Sequence, residues 1–445
     1  MAAGKAVSLV SACVLLSTLA GAAGAQEPEE IAPGVRFEAI RDPDGPFEIR
    51  VATVELSAAS TLDVALARDQ LPGFETTSSM ARRHRAVVAI NADYALPSGR
   101  PVHPYAEDGR LLQAPVLVES SFAVNRGETA SFVGTGRAPA LEVAIDQGRR
   151  YPVHRINDGL PNRDELAAYT AEGGDVEPGK GDWCSARLAE NGEPRSRDGD
   201  WIEIEYVVRK ARCARGLLDP VGDGIVLATS AGATYAPLVS SLDVDEHVTL
   251  AWSVGWPDVF DLTGGNPVLV FRGGVAAGVE PPDGITDDAF FQRQPRSGIG
   301  VTRDGRVLLV TVDGRKPGYS AGMTLREFAQ LFQRLGATEA LNLDGGGSTT
   351  MVVGGVVRNR PAESGEERAV ASALLVLPGG DRGDRGDAGE QEPPPDASLK
   401  AVWHSIASDP GSTGGLAASL PLDRLPLVPE LREAARVFED ASRRP

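Results

Sequence analysis

The chain has 445 residues, enough for one large domain or two lobes around a sizeable core. Its 62 acidic against 44 basic residues give a formal charge of −18. That field repels nucleic acid and anionic membrane surfaces, so nucleic acid is not an expected partner.

The first residues place one positive charge at Lys5, an apolar and small-residue stretch from Ala6 to Ala20, and Ala23-Gly24-Ala25 before Gln26. This three-part layout is that of a secretory signal peptide over residues 1–25, with cleavage expected after Ala25. Val10-Ser11-Ala12-Cys13 has the form of a lipoprotein box, but it sits very early and apolar residues continue beyond it. No later stretch reaches about 18 consecutive apolar residues, so no stable membrane insertion is expected. The expected location is therefore secreted, periplasmic or cell-surface. Loss of the leader leaves Cys184 and Cys213. Neither has a nearby His or a Cys-x-x-Cys spacing, so one disulfide closing a segment of about 30 residues is expected, with a role in stability.

Between Phe47 and Val376, short β-rich runs alternate with Gly, Asp and Pro turn signals. They include Glu48–Val54, Ala86–Ile90, Val116–Val124, Trp201–Val208, Val248–Val254, Pro267–Phe271 and Val307–Val312. Strands outnumber helices, and the expected class is α+β: a strand-rich mixed sheet core with a few packed helices, over residues 26–377. Residues 157–215 read as a surface excursion, whose Gly-, Asp-, Glu-, Pro- and Arg-rich part Asn157–Asp200 holds the first cysteine. Residues 378–428, rich in Gly, Asp, Arg and Pro, read as a disordered linker whose two Arg-Gly-Asp tripeptides follow from its biased composition. Residues 429–445 form a tail, with a short helix expected over Glu430–Ala441.

The clearest local structure surrounds residues 307–350. Val307–Val312 is a continuous apolar strand ending at Asp313-Gly314-Arg315. Thr324 and Glu327 form a capping box, Leu325, Phe328, Phe332 and Leu335 share one helical face, and Gly336 supplies the stop. A second strand, Ala340–Leu343, delivers Asp344 into Gly345-Gly346-Gly347-Ser348. If the two strands are parallel neighbours, a strand-helix-strand crossover brings Asp313 and Asp344 out side by side on one sheet edge.

Three glycines allow close backbone approach, and successive N–H groups can form an anion-binding nest; a lone Gly-Gly-Gly is more ordinarily a turn. No Lys follows, which argues against a phosphate-binding P-loop. Upstream, Gly318-Tyr319-Ser320-Ala321-Gly322 fits the serine-hydrolase nucleophile elbow, with Asp344 and His404 in the matching order. Against it, Asp313 to Pro317 separate the strand from the Ser, and His404 lies beyond the linker. His84, His103, His154 and His247 show no zinc-ligand spacing. No cofactor is called for; calcium is compatible with so acidic a chain, though no twelve-residue calcium loop is present.

Taken together, Arg296-Ser297-Gly298-Ile299-Gly300, Asp313-Gly314-Arg315, Ser320-Ala321-Gly322, Leu343-Asp344-Gly345-Gly346-Gly347-Ser348 and Glu367-Arg368-Ala369-Val370 resemble the phosphodiester glycosidase family in order and spacing. Ala89-Ile90-Asn91-Ala92-Asp93-Tyr94 and Gly264-Gly265 before Pro267–Val270 resemble two further family segments. The chain has Ala92, Ala95, His103 and Ser372 where the family usually has Gly, an aromatic residue, Gly and Asn. The resemblance implies hydrolysis of a bond between a sugar anomeric carbon and a phosphodiester, with a sugar phosphate or phosphorylated glycan as partner. A phosphate leaving group needs little protonation, so charge neutralisation matters most. Arg296, Arg315 and Arg368 with the glycines Gly345 to Gly347 are the expected phosphate contacts. Asp344 is the first candidate carboxylate and Asp313 the second, with Asp93 or Glu367 as partner. Asn91, Ser320, Ser348 and Asn359 are expected to orient substrate oxygens. A non-catalytic glycan-binding protein on the same fold and a serine hydrolase using Ser320 are the alternatives.

Overall fold

A computed structural model of the chain describes residues 28–379, except 44, 58–59, 115–119, 128–130, 136–138, 146–147, 174–180, 219–223, 283–287 and 363–364. The leader, His404, the linker from residue 380 and the tail lie outside the described residues. Among the described residues, no helix is long and apolar enough to cross a membrane.

Strands dominate, as expected for the α+β class, and nearly all pair antiparallel. An eight-stranded sheet runs in the spatial order Glu29–Ala32, Val35–Asp42, Phe47–Val54, Val307–Val312, Arg296–Thr302, Ala337–Asn342, Val268–Phe271 and Gly274–Val275. A five-stranded sheet places Val88–Asn91 between Met351–Val353 and Ser372–Pro378. A second five-stranded sheet centres on Val259–Gly265, and a nine-stranded sheet shares a hydrophobic core with it. The one parallel pair among the described residues, Arg155–Ile156 with Ala167–Ala168, makes that last sheet mixed.

Segment 157–215, expected as a surface excursion, is instead built into the nine-stranded sheet. Its strands Asp182–Glu190 and Trp201–Arg215 pair with each other and with neighbours on both sides. The reason lies in the alternation Trp201-Ile202-Glu203-Ile204-Glu205-Tyr206: period two buries Ile202, Ile204 and Tyr206 and leaves the polar residues between them on the other face. Composition over the segment is polar, but one face is not. Cys184 and Cys213 stand directly opposite each other in this ladder and form the expected disulfide.

The strands Val307–Val312 and Ala337–Asn342 are not neighbours. Arg296–Thr302 lies between them and pairs antiparallel with each. The two therefore run parallel, one strand apart, and Asp313 and Asp344 leave the same sheet edge on either side of Pro295-Arg296.

Helix Leu325–Arg334 carries the expected capping box, with the Thr324 hydroxyl accepting from Glu327 N–H and the Glu327 carboxylate accepting from Thr324 N–H. Its apolar face packs onto the sheet directly over the glycines of Arg296-Ser297-Gly298-Ile299-Gly300. The Phe328 and Phe332 rings stand edge to face with centroids 5.0 Å apart. A Cβ at Gly298 would lie 2.7 Å from Phe328 Cε1, and one at Gly300 would lie 2.7 Å from Phe332 Cδ1. These two glycines therefore make the floor on which the aromatic pair rests. Overpacking a filled core costs about 1–3 kcal/mol, so Gly298→Ala is expected to lower unfolding free energy by about that amount in urea denaturation. An unchanged denaturation midpoint would mean the rings do not rest there.

Candidate active site

The glycine loop is anchored by one buried side chain, Asn91. Its amide nitrogen donates to the Asp344 carbonyl at 2.6 Å, while its oxygen accepts from Ser297 Oγ at 2.7 Å and from Thr350 N–H at 3.0 Å. Three chain segments distant in sequence meet at this single amide. Asp344 N–H also donates to the Ala92 carbonyl, 2.9 Å away. Asn91 is fully buried, so its role is to hold the loop, not to meet substrate hydroxyls as expected.

The triple glycine forms a short 3-10 turn over Gly346–Ser348, in which Gly346 has φ +60°. Gly346 N–H donates to the Pro295 carbonyl, and a Cβ at Gly345 would lie 2.8 Å from that same oxygen. Part of the expected nest is thus turned into the protein. Ser348 is buried in the turn. The guanidinium of Arg368 occupies the space a Gly347 side chain would fill. Glycine here creates a seat for a cation against the loop.

The carboxylates differ sharply in what surrounds them. Asp93 accepts from His103 N–H at 2.8 Å through one oxygen and contacts His103 Nδ1 at 2.6 Å through the other. Its own N–H donates to Ser372 Oγ. Two of the positions that depart from the family pattern, His103 and Ser372, are therefore the groups that hold Asp93. His103 in turn fits only because position 264 has no side chain.

Asp313 accepts from Asn359 Nδ2 at 3.2 Å, from Arg360 N–H at 2.9 Å and from the Tyr319 hydroxyl at 3.1 Å. Burial raises its pKa above the ordinary Asp value against these donors. Burial and the Asp313 charge push the Tyr319 phenol up to about 12, so it remains a donor at neutral pH. Asn359 also bonds the Thr349 carbonyl and Met351 N–H, tying Asp313 to the strand that follows the glycine loop. Of the three aspartates, Asp344 is the most accessible, at 7% against 1% for both Asp93 and Asp313. It is the carboxylate best placed to meet a ligand.

Other expected contacts are engaged elsewhere. Arg296 is buried, with its guanidinium donating to the carbonyls of Met323, Phe290 and Gln292, and burial depresses its pKa to about 10. It braces a loop and is not presented to phosphate. Ser320 is fully buried; its hydroxyl donates to the Asp313 carbonyl at 2.5 Å and accepts from Glu48 N–H at 3.1 Å. Locked between two backbone groups, it is not the exposed nucleophile that a serine hydrolase requires. Glu367 accepts from Ser78 N–H in the first turn of helix Thr77–Arg83, a capping role far in sequence from the glycine loop. Arg315, with φ +55°, contacts Gln294 through Nε and is half-buried.

Sequence reasoning missed Tyr319, Arg360 and Ser297 as parts of the site. Ser297 and Arg360 each adjoin a residue it did choose, Arg296 and Asn359. Among the described residues, the group of carboxylates close enough to share a cation is Asp63, Asp108 and Asp261, with oxygens within 4.8 Å of one another. It includes none of the glycine-loop residues.

Residues 220–377 match the family model described as phosphodiester glycosidase. Over 68 residues the chain is 34% identical to mouse N-acetylglucosamine-1-phosphodiester alpha-N-acetylglucosaminidase, and over 84 residues 39% identical to the SPbeta prophage-derived protein YomE of Bacillus subtilis. These stretches cover 15% and 19% of this chain, and 13% of each relative. A solved structure of a hypothetical protein from Synechocystis aligns with a TM-score of 0.55 at 22% identity, covering 77% of this chain and 62% of that chain. At that identity the likeness speaks to fold alone.

The raised Asp313 pKa has a consequence for stability. The folded state holds this proton more tightly than the unfolded chain, whose Asp titrates near 3.8. The contribution of Asp313 is therefore fully present below that value and is lost as pH rises through the folded pKa. Asp313→Asn is expected to flatten this fall, measured as the difference in urea midpoint between wild type and variant from pH 3.5 upward. A difference that does not vary with pH would contradict the shift.

Proposed function

We propose that the protein is an exported hydrolase that cleaves the bond between a sugar anomeric carbon and a phosphodiester, releasing the sugar from a phosphorylated glycan or envelope polymer. The observation that carries this reading is the convergence of the least buried of the three aspartates, Asp344, with a guanidinium seated on its own loop, Arg368 over Gly347. N-acetylglucosamine is the first sugar to try, because it is the one in the name of the mouse relative. Export is supported by the disulfide, which persists in oxidising compartments.

A phosphodiester leaving group departs as a weakly basic anion, so the main demand is for positive charge at its oxygens. Arg368, with Arg315 as a second candidate, meets that demand. Asp344 activates water or stabilises the oxocarbenium-like centre. Asp93 and Asp313, both wrapped in donors, act as fixed supports on either side of the loop. A non-catalytic glycan-binding protein remains the contrasting outcome of the test.

Incubation of the purified protein with a panel of sugar-1-phosphodiesters is expected to release free sugar. Asp344→Asn is expected to reduce that rate by about 10²–10⁴-fold, the usual contribution of a positioned acid or base. Binding of the glycan with no release would replace the hydrolase reading by the lectin-like one.

Gly347→Ala makes a separate case. The atoms nearest the added methyl all belong to the mobile end of Arg368, so the fold is expected to tolerate it within about 0.5 kcal/mol. Displacing the guanidinium should nonetheless slow sugar release at least about tenfold. Wild-type turnover in this variant would remove Arg368 from the site.

A further inference from the structure

The arginines around the Asp313 edge are held in different ways. Arg296 is engaged by three carbonyls, and Arg50 by Glu48 and the Arg358 carbonyl. Arg360 differs from both. Its side chain is exposed, its guanidinium lies over the Tyr319 ring at 4.2 Å, and among the described residues it forms no ion pair. Its backbone N–H reaches both carboxylate oxygens of Asp313, and the Tyr319 hydroxyl reaches one of them. Asp313 therefore fixes both the backbone from which Arg360 projects and the ring on which it lies.

We propose that Arg360 is a binding residue for a phosphate oxyanion of the substrate, held ready by its stack on Tyr319. The proposal rests on the phosphodiester reading and adds a specificity determinant to it. A guanidinium flat against an aromatic face keeps its N–H edge open, and that planar fork matches two phosphate oxygens at once. Stacking also restricts a long side chain before the ligand arrives, which lowers the ordering cost of binding. Asp313 does not compete with phosphate for the guanidinium, because it meets this residue through the backbone N–H and not through the side chain. Through Asn359, the same carboxylate is tied to the Thr349 carbonyl just after the glycine loop. Arg360 thus belongs to the framework that carries the candidate site.

The phosphate could be the scissile diester or the next phosphate along a polymeric aglycone, and two substrates separate these. One is a sugar-1-phosphate methyl ester with a single phosphate; the other carries a second phosphate on the aglycone. Arg360→Ala is expected to raise KM by about 10- to 100-fold, the scale of a lost charged hydrogen bond, with a smaller change in kcat. An increase on both substrates assigns the scissile phosphate, and an increase only on the second assigns the neighbouring one. Arg360→Lys should recover part of the loss, and Tyr319→Leu, which removes the stack, should weaken binding in the same direction.

Equilibrium dialysis with inorganic phosphate reads Arg360 independently of turnover. Wild type that binds phosphate but releases no sugar would defeat the hydrolase reading while leaving Arg360 open to test by Arg360→Ala in the same assay. Phosphate affinity and KM in Arg360→Ala equal to those of wild type, with normal folding by circular dichroism, would overturn the proposal. Wild type that binds no phosphate and shows no turnover would overturn it as well.

Discussion

The site depends on a single buried carboxamide. A fully desolvated Asn is tolerable only when both ends of its amide find partners, and Asn91 meets that demand by binding two stretches of chain besides its own. The strand end at 91, the central strand at 297 and the loop from 344 to 350 are thereby locked in one register. Hydrogen bonding to the Asp344 carbonyl positions the residue through its backbone, and Asp344 is the least buried of the three aspartates. The polar atom that organises the site is therefore not the one expected to do its chemistry.

Around this knot the charges fall into two kinds. Asp93 and Asp313 are almost sealed, and each is surrounded by donors that determine where it points. Asp344 and the guanidinium of Arg368 sit at the loop itself. Such a division keeps the supports rigid around the proposed reactive groups, which is the condition for a preorganised electrostatic site. The glycines serve the same end by different means. Gly298 and Gly300 let a helix settle against the sheet, whereas Gly347 admits a cation to the loop.

The sequence made the central fold legible because its local signals agreed with one another. The capping box at Thr324, the apolar stripe through Phe328 and Phe332, and the run Val307–Val312 each have one simple structural reading, and each is found. Pairing was less legible: nothing local to Val307–Val312 or Ala337–Asn342 says that Arg296–Thr302 lies between them. Segment 157–215 misled because average composition hides a period-two face. In the candidate site, residue type did not reveal which side chains are engaged in bracing. Arg296 and Ser320 are chemically suited to catalysis, yet burial against backbone groups assigns them to bracing, and for Ser320 one of those groups, Glu48 N–H, lies more than 200 residues away in the chain. Tyr319 and Arg360 were hidden for the converse reason, since their association with Asp313 exists only after the strands assemble.

The fit of His103 against position 264 also constrains how such a site can change over generations. A side chain at 264 and the imidazole at 103 cannot occupy the same space, and the imidazole is what grips Asp93. A lineage carrying His103 must therefore keep glycine on the facing strand, whereas one with glycine at 103 is free of that restriction. The order of substitution matters: 264 has to be small before 103 can become large. Departure from a family pattern at one position is in this way recorded as a debt at another, and the two should be exchanged together in any transplant of this site.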